Sequence, residues 1–214
     1  MKKYKNHIFD LDGTLADSMG DWAETMIGML REAEVEYPDD IINIITPLGD
    51  LGIAKYFIRL GVKSTEKELI DRMHGIALCK YRELIPPKEG AVEYVKALKA
   101  EGKRLFVLTA SPHILTDPCL ARYGIFELFD GVFTCDDFDF GKSKSSPDIY
   151  RELCERAGIE ASETVFYDDN VGALRAGAEA GLFTVGVYDK SSANYSEEIK
   201  DVSNRYITSF KELL

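Results

Sequence analysis

The fold class of this chain is decided by residues 104–134, which read RLFVLTASPHILTDPCLARYGIFELFDGVFT. The stretch opens on the apolar run Arg104–Thr109, continues with helical spacing over 115–122, and returns to an extended run at Gly131–Thr134. Short apolar runs of this kind are typical of buried strands, and a strand, helix, strand succession is typical of a β-α-β unit. The two strands of such a unit are parallel, with a right-handed crossover between them.

The same alternation continues on both sides of this unit. Downstream, the pattern predicts a helix, a strand, a helix and a strand over Pro147–Ala157, 165–167, 171–180 and Phe183–Val187. Upstream, it predicts a strand over 8–11 and a helix over about 89–100. Repeated β-α-β units form one parallel sheet with helices on both faces. The predicted fold is therefore α/β, a doubly wound parallel sheet of the Rossmann-like type.

An insertion separates the first predicted strand from the rest of the sheet. Apolar residues recur there at helical spacing, and Thr65 with Glu68 supplies the capping box of one of the helices. We therefore expect an inserted α-helical cap domain at 16–85, and a core formed by 1–15 and 86–214.

Composition excludes several classes of protein. Hydrophobic residues make up 45% of the 214 residues and the formal net charge is -11, which is repulsive toward nucleic acid and anionic membrane surfaces. No apolar run reaches membrane-spanning length and the first residues lack a secretory signal, so we expect a cytoplasmic protein. We also expect it to be a monomer or weak dimer. The four cysteines form no C-x-x-C pair, which favours reduced, mostly buried thiols over a zinc or redox site.

Polar side chains follow three of the predicted strands. Asp10 and Asp12 lie at the carboxyl end of the first, Thr109 ends the second, and Asp168 and Asp169 follow a later one. Ligands of parallel α/β sheets bind beyond the carboxyl ends of the strands, so these side chains are expected at one site. Carboxylate oxygens suit magnesium.

Two further residues belong with this group. Ala110 follows Thr109 and offers a backbone N–H to an anion. Lys144 lies three residues before Pro147, which is predicted to begin a helix at its first turn. The spacing therefore brings a cation near the acids.

The motifs, taken in order, resemble those of the haloacid dehalogenase-like hydrolases. They are D-x-D-G-T-L-x-D-S from Asp10, a threonine after a strand at Thr109, K-x-x-P-D-I-Y from Lys144, and the pair Asp168 and Asp169. Together they span nearly the whole chain. The resemblance is to the phosphoglycolate phosphatase and β-phosphoglucomutase-like group with a helical cap, and implies a Mg²⁺-dependent phosphatase acting on a small phosphorylated metabolite.

The resemblance also implies a role for each motif residue. Asp10 attacks phosphorus and carries the aspartyl-phosphate, and Asp12 serves as general acid and then general base. Thr109 and Ala110 bind the phosphoryl group. Lys144 contacts the same group and neutralises charge on it and on the nucleophile.

Magnesium, by the same resemblance, is held by Asp10, the carbonyl of Asp12 and a late carboxylate. The late acid pair can be aligned with the family in two registers. Alignment on the Ala-Gly pair that ends the following helix favours Asp169 as the direct ligand and Asp168 as its water-mediated partner.

Several residues depart from the family pattern or carry a structural interpretation. Ser145, Asn170 and Ala173 replace the usual proline, serine and glycine, which affects local geometry without removing a charge. Asp17 and Ser18 are expected to cap the helix that follows them. His113 is expected to be solvated or capping.

Other reactions on this scaffold are distinguished by single residues. Dehalogenases and phosphonate hydrolases of the family lack the acid that Asp12 supplies, so both are disfavoured. A sugar-phosphate mutase stays an alternative, although the histidine such enzymes carry soon after the first motif is absent from residues 19–23. A catalytically idle module is the remaining alternative.

The predicted cap loop at 46–50 has no Arg or Lys, which weakly disfavours a second anionic group on the substrate, although Lys55 lies nearby in sequence.

Overall fold

A computed structural model describes residues 1, 3–138 and 143–214. The chain divides into two compact units, Met1–Ser18 with Ile85–Leu214, and Met19–Leu84. We call the first the core unit and the second the inserted unit. The divisions fall at 18/19 and 84/85, where the sequence leads us to expect 15/16 and 85/86.

The core unit is built on a parallel sheet. Its strands are β1 Asn6–Phe9, β2 Arg104–Thr109, β3 Gly131–Thr134, β4 Thr164–Asp168, β5 Phe183–Val187 and β6 Arg205–Ile207. They lie in the order β3-β2-β1-β4-β5-β6, and every neighbouring pair is parallel. The predicted doubly wound α/β fold is confirmed.

Helices connect these strands and form the inserted unit. In chain order they are α1 Met19–Glu32, α2 Ile41–Ile45, α3 Gly49–Leu60, α4 Glu66–Glu83, α5 Ala91–Ala100, α6 His113–Arg122, α7 Pro147–Ala157, α8 Val171–Glu179 and α9 Ser196–Val202. Helices α1 to α4 belong to the inserted unit, and α5 to α9 to the core unit. No helix in the described ranges is both long and apolar enough to cross a bilayer.

The first strand is confirmed, but it begins and ends two residues earlier than the sequence predicts. It covers Asn6–Phe9 and not 8–11, because Leu11 already belongs to the turn: its carbonyl accepts from the backbone N–H groups of Leu15 and Ala16, at 2.9 and 2.8 Å. Gly13 supplies the positive φ of 78° that this turn requires. Asp10 therefore follows the strand directly.

Successive residues of the strands face opposite sides of the sheet, as the period of two requires. On one side Phe9 stacks on Tyr167 with ring centroids 4.5 Å apart. On the other, Ile8 and Phe166 belong to a buried cluster that includes residues of α7 and α8. On the first side Tyr94 of α5 also packs edge-on against Phe9. Helices therefore cover both faces, and the ends of the strands are left open for ligands.

The inserted unit has a core of its own. Its helices bury apolar residues that include Met26, Met29, Leu30, Phe57 and Leu69. The predicted capping box of Thr65 and Glu68 is confirmed at the start of α4.

All four cysteines are free, as expected. Cys119 and Cys154 are buried and Cys135 is partly buried, whereas Cys79 is exposed. The expectation of mostly buried thiols is confirmed, with Cys79 on α4 as the exception.

Candidate active site

The register of the sheet brings the ends of three strands to one edge. Phe9 lies opposite Val107 on one side and Tyr167 on the other. Asp10 comes directly after Phe9, Thr109 ends β2 two residues beyond Val107, and Asp168 ends β4 one residue beyond Tyr167, so all three lie at the carboxyl edge of the sheet. This is the edge where ligands of parallel α/β sheets bind.

Asp10 is buried at this edge, with only 3% of its surface exposed. Its backbone N–H donates to the carbonyl of Tyr167 at 3.0 Å, which extends the pairing of β1 and β4 by one residue. Its Oδ1 lies 2.6 Å from Lys144 Nζ. The carboxylate is thus fixed by the sheet on one side and by a cation on the other.

Lys144 lies between two carboxylates. Its Nζ is 2.6 Å from Asp10 Oδ1 and 2.8 Å from Asp168 Oδ2. Tyr150, fully buried on α7, donates its hydroxyl to the Lys144 carbonyl at 2.8 Å and so holds the backbone of the lysine. Burial acts to lower the pKa of Lys144, but the two carboxylates outweigh it and raise that pKa well above its ordinary value.

Three carboxylates meet at this edge. Oxygens of Asp10, Asp168 and Asp169 lie within 4.8 Å of one another, and all three residues are buried. Burial raises the pKa of Asp10 to about 8, against the attraction of Lys144 and with the repulsion of Asp168 and Asp12. Burial, then Asp168 and Asp10, raise the pKa of Asp169 well above its usual range.

The charge balance of this group is suited to a cation. One ammonium faces three buried carboxylates, so negative charge is in excess wherever the acids are ionised. Carboxylate oxygens are the donors that a hard divalent ion prefers. The described residues therefore form a group that can hold such an ion.

Gly13 brings the first-strand turn against this group. A Cβ atom at this position would lie 2.6 Å from Asp169 Oδ2, closer than any side chain tolerates. Its N–H donates to the Ala16 carbonyl at 2.9 Å. Only a glycine therefore lets the turn approach the Asp169 carboxylate at this φ.

Asp12 is held by two serine hydroxyls. Ser18 Oγ donates to its Oδ1 at 2.6 Å and Ser111 Oγ to its Oδ2 at 2.5 Å. The sequence predicts a helix-capping role for Ser18, and it places Ser111 in the stretch after β2 that offers a hydroxyl and backbone N–H groups without predicting its contact with Asp12. The hydroxyl-rich stretch at the end of β2 is the signal that pointed to Ser111, but its direction toward Asp12 depends on the turn.

Thr109 and Ala110 continue the edge beside Asp10. Thr109 is fully buried, and its Oγ1 accepts from the backbone N–H of Ser111 at 3.1 Å. Ala110 is exposed at the start of the β2–α6 connection. A buried hydroxyl next to the backbone N–H of an exposed residue is suited to contacting an anion.

Asn170, which departs from the family pattern, makes two hydrogen bonds at the start of α8. Asn170 caps α8, because its Oδ1 accepts from the Ala173 N–H at 3.1 Å. Its own N–H donates to Asp168 Oδ1 at 2.7 Å. Both oxygens of Asp168 are therefore engaged, one by Asn170 and one by Lys144.

His113 is neither simply solvated nor a cap. Its Nδ1 lies 3.0 Å from Asp117 Oδ1 and its Nε2 lies 3.0 Å from Asp137 Oδ2. Hydrogen bonding to Asp117, opposed by desolvation and aided by Asp137, raises the pKa of His113. The ring therefore links the start of α6 to the turn after β3.

Comparison with known proteins identifies the family. A family model described as haloacid dehalogenase-like hydrolase matches residues 4–181. The chain belongs to the haloacid dehalogenase-like hydrolases. The predicted family and the enzyme class, a hydrolase, are confirmed.

Curated relatives align over most of this hydrolase. It is 27% identical over 186 residues to the validoxylamine A 7'-phosphate phosphatase of Streptomyces hygroscopicus subsp. limoneus, covering 86% of this chain and 85% of that protein. It is also 27% identical over 205 residues to the phosphoglycolate phosphatase of Psychrobacter arcticus, covering 92% and 87% respectively.

Solved structures share the fold of this hydrolase. CbbY from Rhodobacter sphaeroides, crystallised in complex with xylulose-(1,5)bisphosphate, superposes with a TM-score of 0.84 over 98% of this chain and 96% of that one. The sequence identity in this match is 21%, so the likeness concerns the fold alone.

Proposed function

We propose that this hydrolase is a Mg²⁺-dependent phosphatase that cleaves a small phosphate monoester through an aspartyl-phosphate on Asp10. The observation that carries the proposal is the environment of Asp10: a buried carboxylate, 2.6 Å from Lys144 Nζ and grouped with Asp168 and Asp169. The phosphatases among the curated relatives support the same reaction.

The acid group fits a magnesium ion. It offers hard oxygen donors, and burial together with repulsion between the carboxylates raises the pKa of Asp10 and of Asp169 despite the nearby Lys144. We propose Asp10, the Asp12 carbonyl and Asp169 as ligands. Asp168 is assigned the supporting position, because both of its oxygens already accept hydrogen bonds. When bound, the ion would supply positive charge to the nucleophile and to the phosphoryl oxygens.

In the first step a carboxylate oxygen of Asp10 attacks phosphorus. The bond from phosphorus to the ester oxygen breaks, and Asp12 gives its proton to the departing alkoxide. Lys144 offsets the negative charge that gathers on the nucleophile and the transferred group. Its position between Asp10 and Asp168 keeps it in reach of both without reorganisation.

In the second step water attacks the phosphorus of the aspartyl-phosphate. Asp12, now ionised, accepts a proton from the water, and the carboxylate of Asp10 is released with inorganic phosphate. Thr109 and the N–H of Ala110 are proposed to bind the phosphoryl oxygens in both steps. The buried position of Thr109 favours a fixed hydroxyl over a mobile one.

The proposed substrate is a small phosphorylated metabolite, not a nucleic acid or a lipid surface. The net charge of -11 supports this choice, because a polyanion would be repelled over most of the surface. The sugar-phosphate mutase alternative has no observation in its favour among residues 19–23, which contain no histidine.

The direct test is phosphate release from p-nitrophenyl phosphate and a panel of small alkyl phosphate esters, with magnesium and with chelator. We expect turnover by the wild type with magnesium, and none with chelator or in Asp10→Asn. Folding of the variant is checked by circular dichroism. Absence of turnover by folded wild-type protein on every ester would reject the phosphatase and favour the mutase or the idle module.

A further inference from the structure

Asp12 is a proposed catalytic carboxylate whose two oxygens each accept a hydrogen bond from a serine hydroxyl. Ser111 Oγ donates to Oδ2 at 2.5 Å, and Ser18 Oγ donates to Oδ1 at 2.6 Å. Because the two hydroxyls donate to different oxygens of Asp12, they fix the rotation of its carboxylate about the Cβ–Cγ bond. The direction in which Asp12 can deliver a proton is thereby set.

Ser111 is itself held by two buried threonines. Its N–H donates to Thr109 Oγ1 at 3.1 Å, and its carbonyl accepts from Thr116 Oγ1 at 3.1 Å. Both threonines are fully buried. Because the backbone of Ser111 is restrained at both of its peptide groups, its short side chain has few directions available, and the one it takes leads to Asp12.

A hydroxyl is chemically suited to a carboxyl group that gains and loses a proton. It donates to the carboxylate, and after rotation about one bond it accepts from the carboxylic acid. A lysine or arginine in the same place would favour the charged form only. A serine can therefore keep the same orientation of Asp12 in both halves of an acid and base cycle.

We propose that Ser111 is a positioning residue that orients Asp12 for proton transfer to the leaving group. The inference rests on the phosphatase function proposed above. A positioning role for Ser111 predicts a loss that depends on the leaving group, whereas a general structural role predicts the same loss for every ester. The reason is that protonation of the leaving oxygen matters only for poor leaving groups. An alkoxide needs the proton from Asp12, whereas p-nitrophenolate departs without it.

The test compares kcat/KM for an alkyl phosphate ester with kcat/KM for p-nitrophenyl phosphate. This quantity covers the steps up to formation of the aspartyl-phosphate, so the later role of Asp12 as a base does not enter. The variants are Ser111→Ala and Ser111→Thr, with Asp12→Asn as the limiting case. Ser203→Ala is the matched control, because Ser203 Oγ makes a 2.6 Å bond to the Ile199 carbonyl in the same unit.

We expect Ser111→Ala to lower the alkyl-to-aryl ratio of kcat/KM by about tenfold or more, as misplacement of a catalytic group does. Asp12→Asn should shift the ratio further in the same direction. Ser111→Thr, which keeps the hydroxyl, should restore most of the ratio, and Ser203→Ala should leave it unchanged.

An equal loss on both esters in Ser111→Ala would overturn the inference, because it would mean that Ser111 binds the common phosphoryl group or supports the fold. No loss on either ester would overturn it as well. Either result would leave the phosphatase proposal standing, since neither changes the hydrolysis of the esters by the wild type or the role of Asp10.

Discussion

Two polar clusters lie on the same pair of strands, and one is neutral whereas the other is charged. The inner cluster consists of His7 on β1, Tyr167 on β4 and Tyr94 on α5. The edge cluster consists of Asp10, Asp168, Asp169 and Lys144. The inner cluster is neutral and hydrogen-bonded, with His7 Nδ1 at 2.8 Å and Tyr94 OH at 2.9 Å from Tyr167 OH. The edge cluster concentrates charge.

The difference follows from depth in the sheet. His7 is fully buried between strands, and burial, followed by the charges of Lys103 and the amino terminus, lowers its pKa to about 3. Two or three residues further along the same strands, Asp10 and Asp169 lie where the sheet ends. The interior therefore excludes charge, whereas the edge holds more negative charge than Lys144 neutralises. That excess costs stability, and a bound cation would recover it.

The largest effect is expected from Lys144→Met, which removes the cation of the edge cluster. Breaking a buried ion pair costs about 3–5 kcal/mol of unfolding free energy, and proton uptake by the neighbouring acids keeps the cost near the lower value. Turnover should fall by about 100-fold or more, because the charge on the nucleophile and phosphoryl group loses its partner.

Urea unfolding and steady-state kinetics measure both quantities. Lys99→Met is the matched control: its ion pair with Asp130 is about one-third exposed on each side, so a loss below about 1 kcal/mol is expected. Equal destabilisation by the two changes would contradict the special position of Lys144.

The next effect concerns magnesium and Asp169. At a magnesium concentration 100 times its dissociation constant, we expect about 2.7 kcal/mol of added stability in the wild type. Asp169→Asn should abolish that gain, and should itself stabilise the protein without metal because it relieves repulsion within the edge cluster. Thermal unfolding with magnesium and with chelator measures both.

Asp136→Asn, a change at an exposed acid after β3, should keep the full magnesium response. Loss of that response in Asp136→Asn, or its retention in Asp169→Asn, would place the ion outside the edge cluster.

The inner cluster predicts an acid-sensitive stability. His7 is neutral in the folded protein, with a pKa of about 3, but takes up a proton in the unfolded chain below its ordinary pKa of about 6.5. The unfolded state therefore binds more protons between these values, and stability falls as the pH falls. Between pH 7 and pH 5 the loss from this group amounts to about 2 kcal/mol.

His7→Phe should remove that part of the pH dependence, whatever its effect at pH 7. Urea unfolding of both proteins across pH 5 to 7 gives the two slopes. Identical slopes would mean that His7 is charged or accessible in the folded state.

The smallest effect, of opposite sign, is expected at His113. Hydrogen bonding to Asp117 raises the pKa of the His113 ring, with desolvation acting against it and Asp137 acting with it. The charged ring therefore adds to the free energy of unfolding below pH 6.5. This contribution is lost as the pH rises through the pKa of His113 in the folded protein. Because 43% of the side chain is exposed, the contribution should stay below about 1 kcal/mol. His113→Gln compared with wild type at pH 6 and pH 8 measures it, and a larger difference at pH 8 would contradict the sign.

Much of the fold could be predicted from local pattern. The bounds of β2, β3, β5 and α7 match the predicted residues, because each is a short apolar or amphipathic run between clear turn signals. Helix α2 and strand β6 were not predicted, since five and three residues are too short to show a period. Their existence depends on tertiary packing.

The site divides in a similar way. Asp10, Thr109 and Asp168 could be placed at one edge because parallel strands end together. The bonds from Ser18 and Ser111 to Asp12 could not, because they depend on the directions of two side chains that the turns after β1 and β2 determine. Residue type and spacing carry no information on such directions.

The central claim is that Asp10 carries the phosphoryl group during turnover. The most direct measurement is to quench the enzyme in acid during hydrolysis of a phosphate ester with magnesium, reduce the trapped acyl-phosphate with borohydride, and map the modified residue by mass spectrometry. The account predicts homoserine at position 10 in wild-type protein and none in Asp10→Asn or with chelator. Modification at another residue, or steady turnover with no modification at position 10, would contradict it.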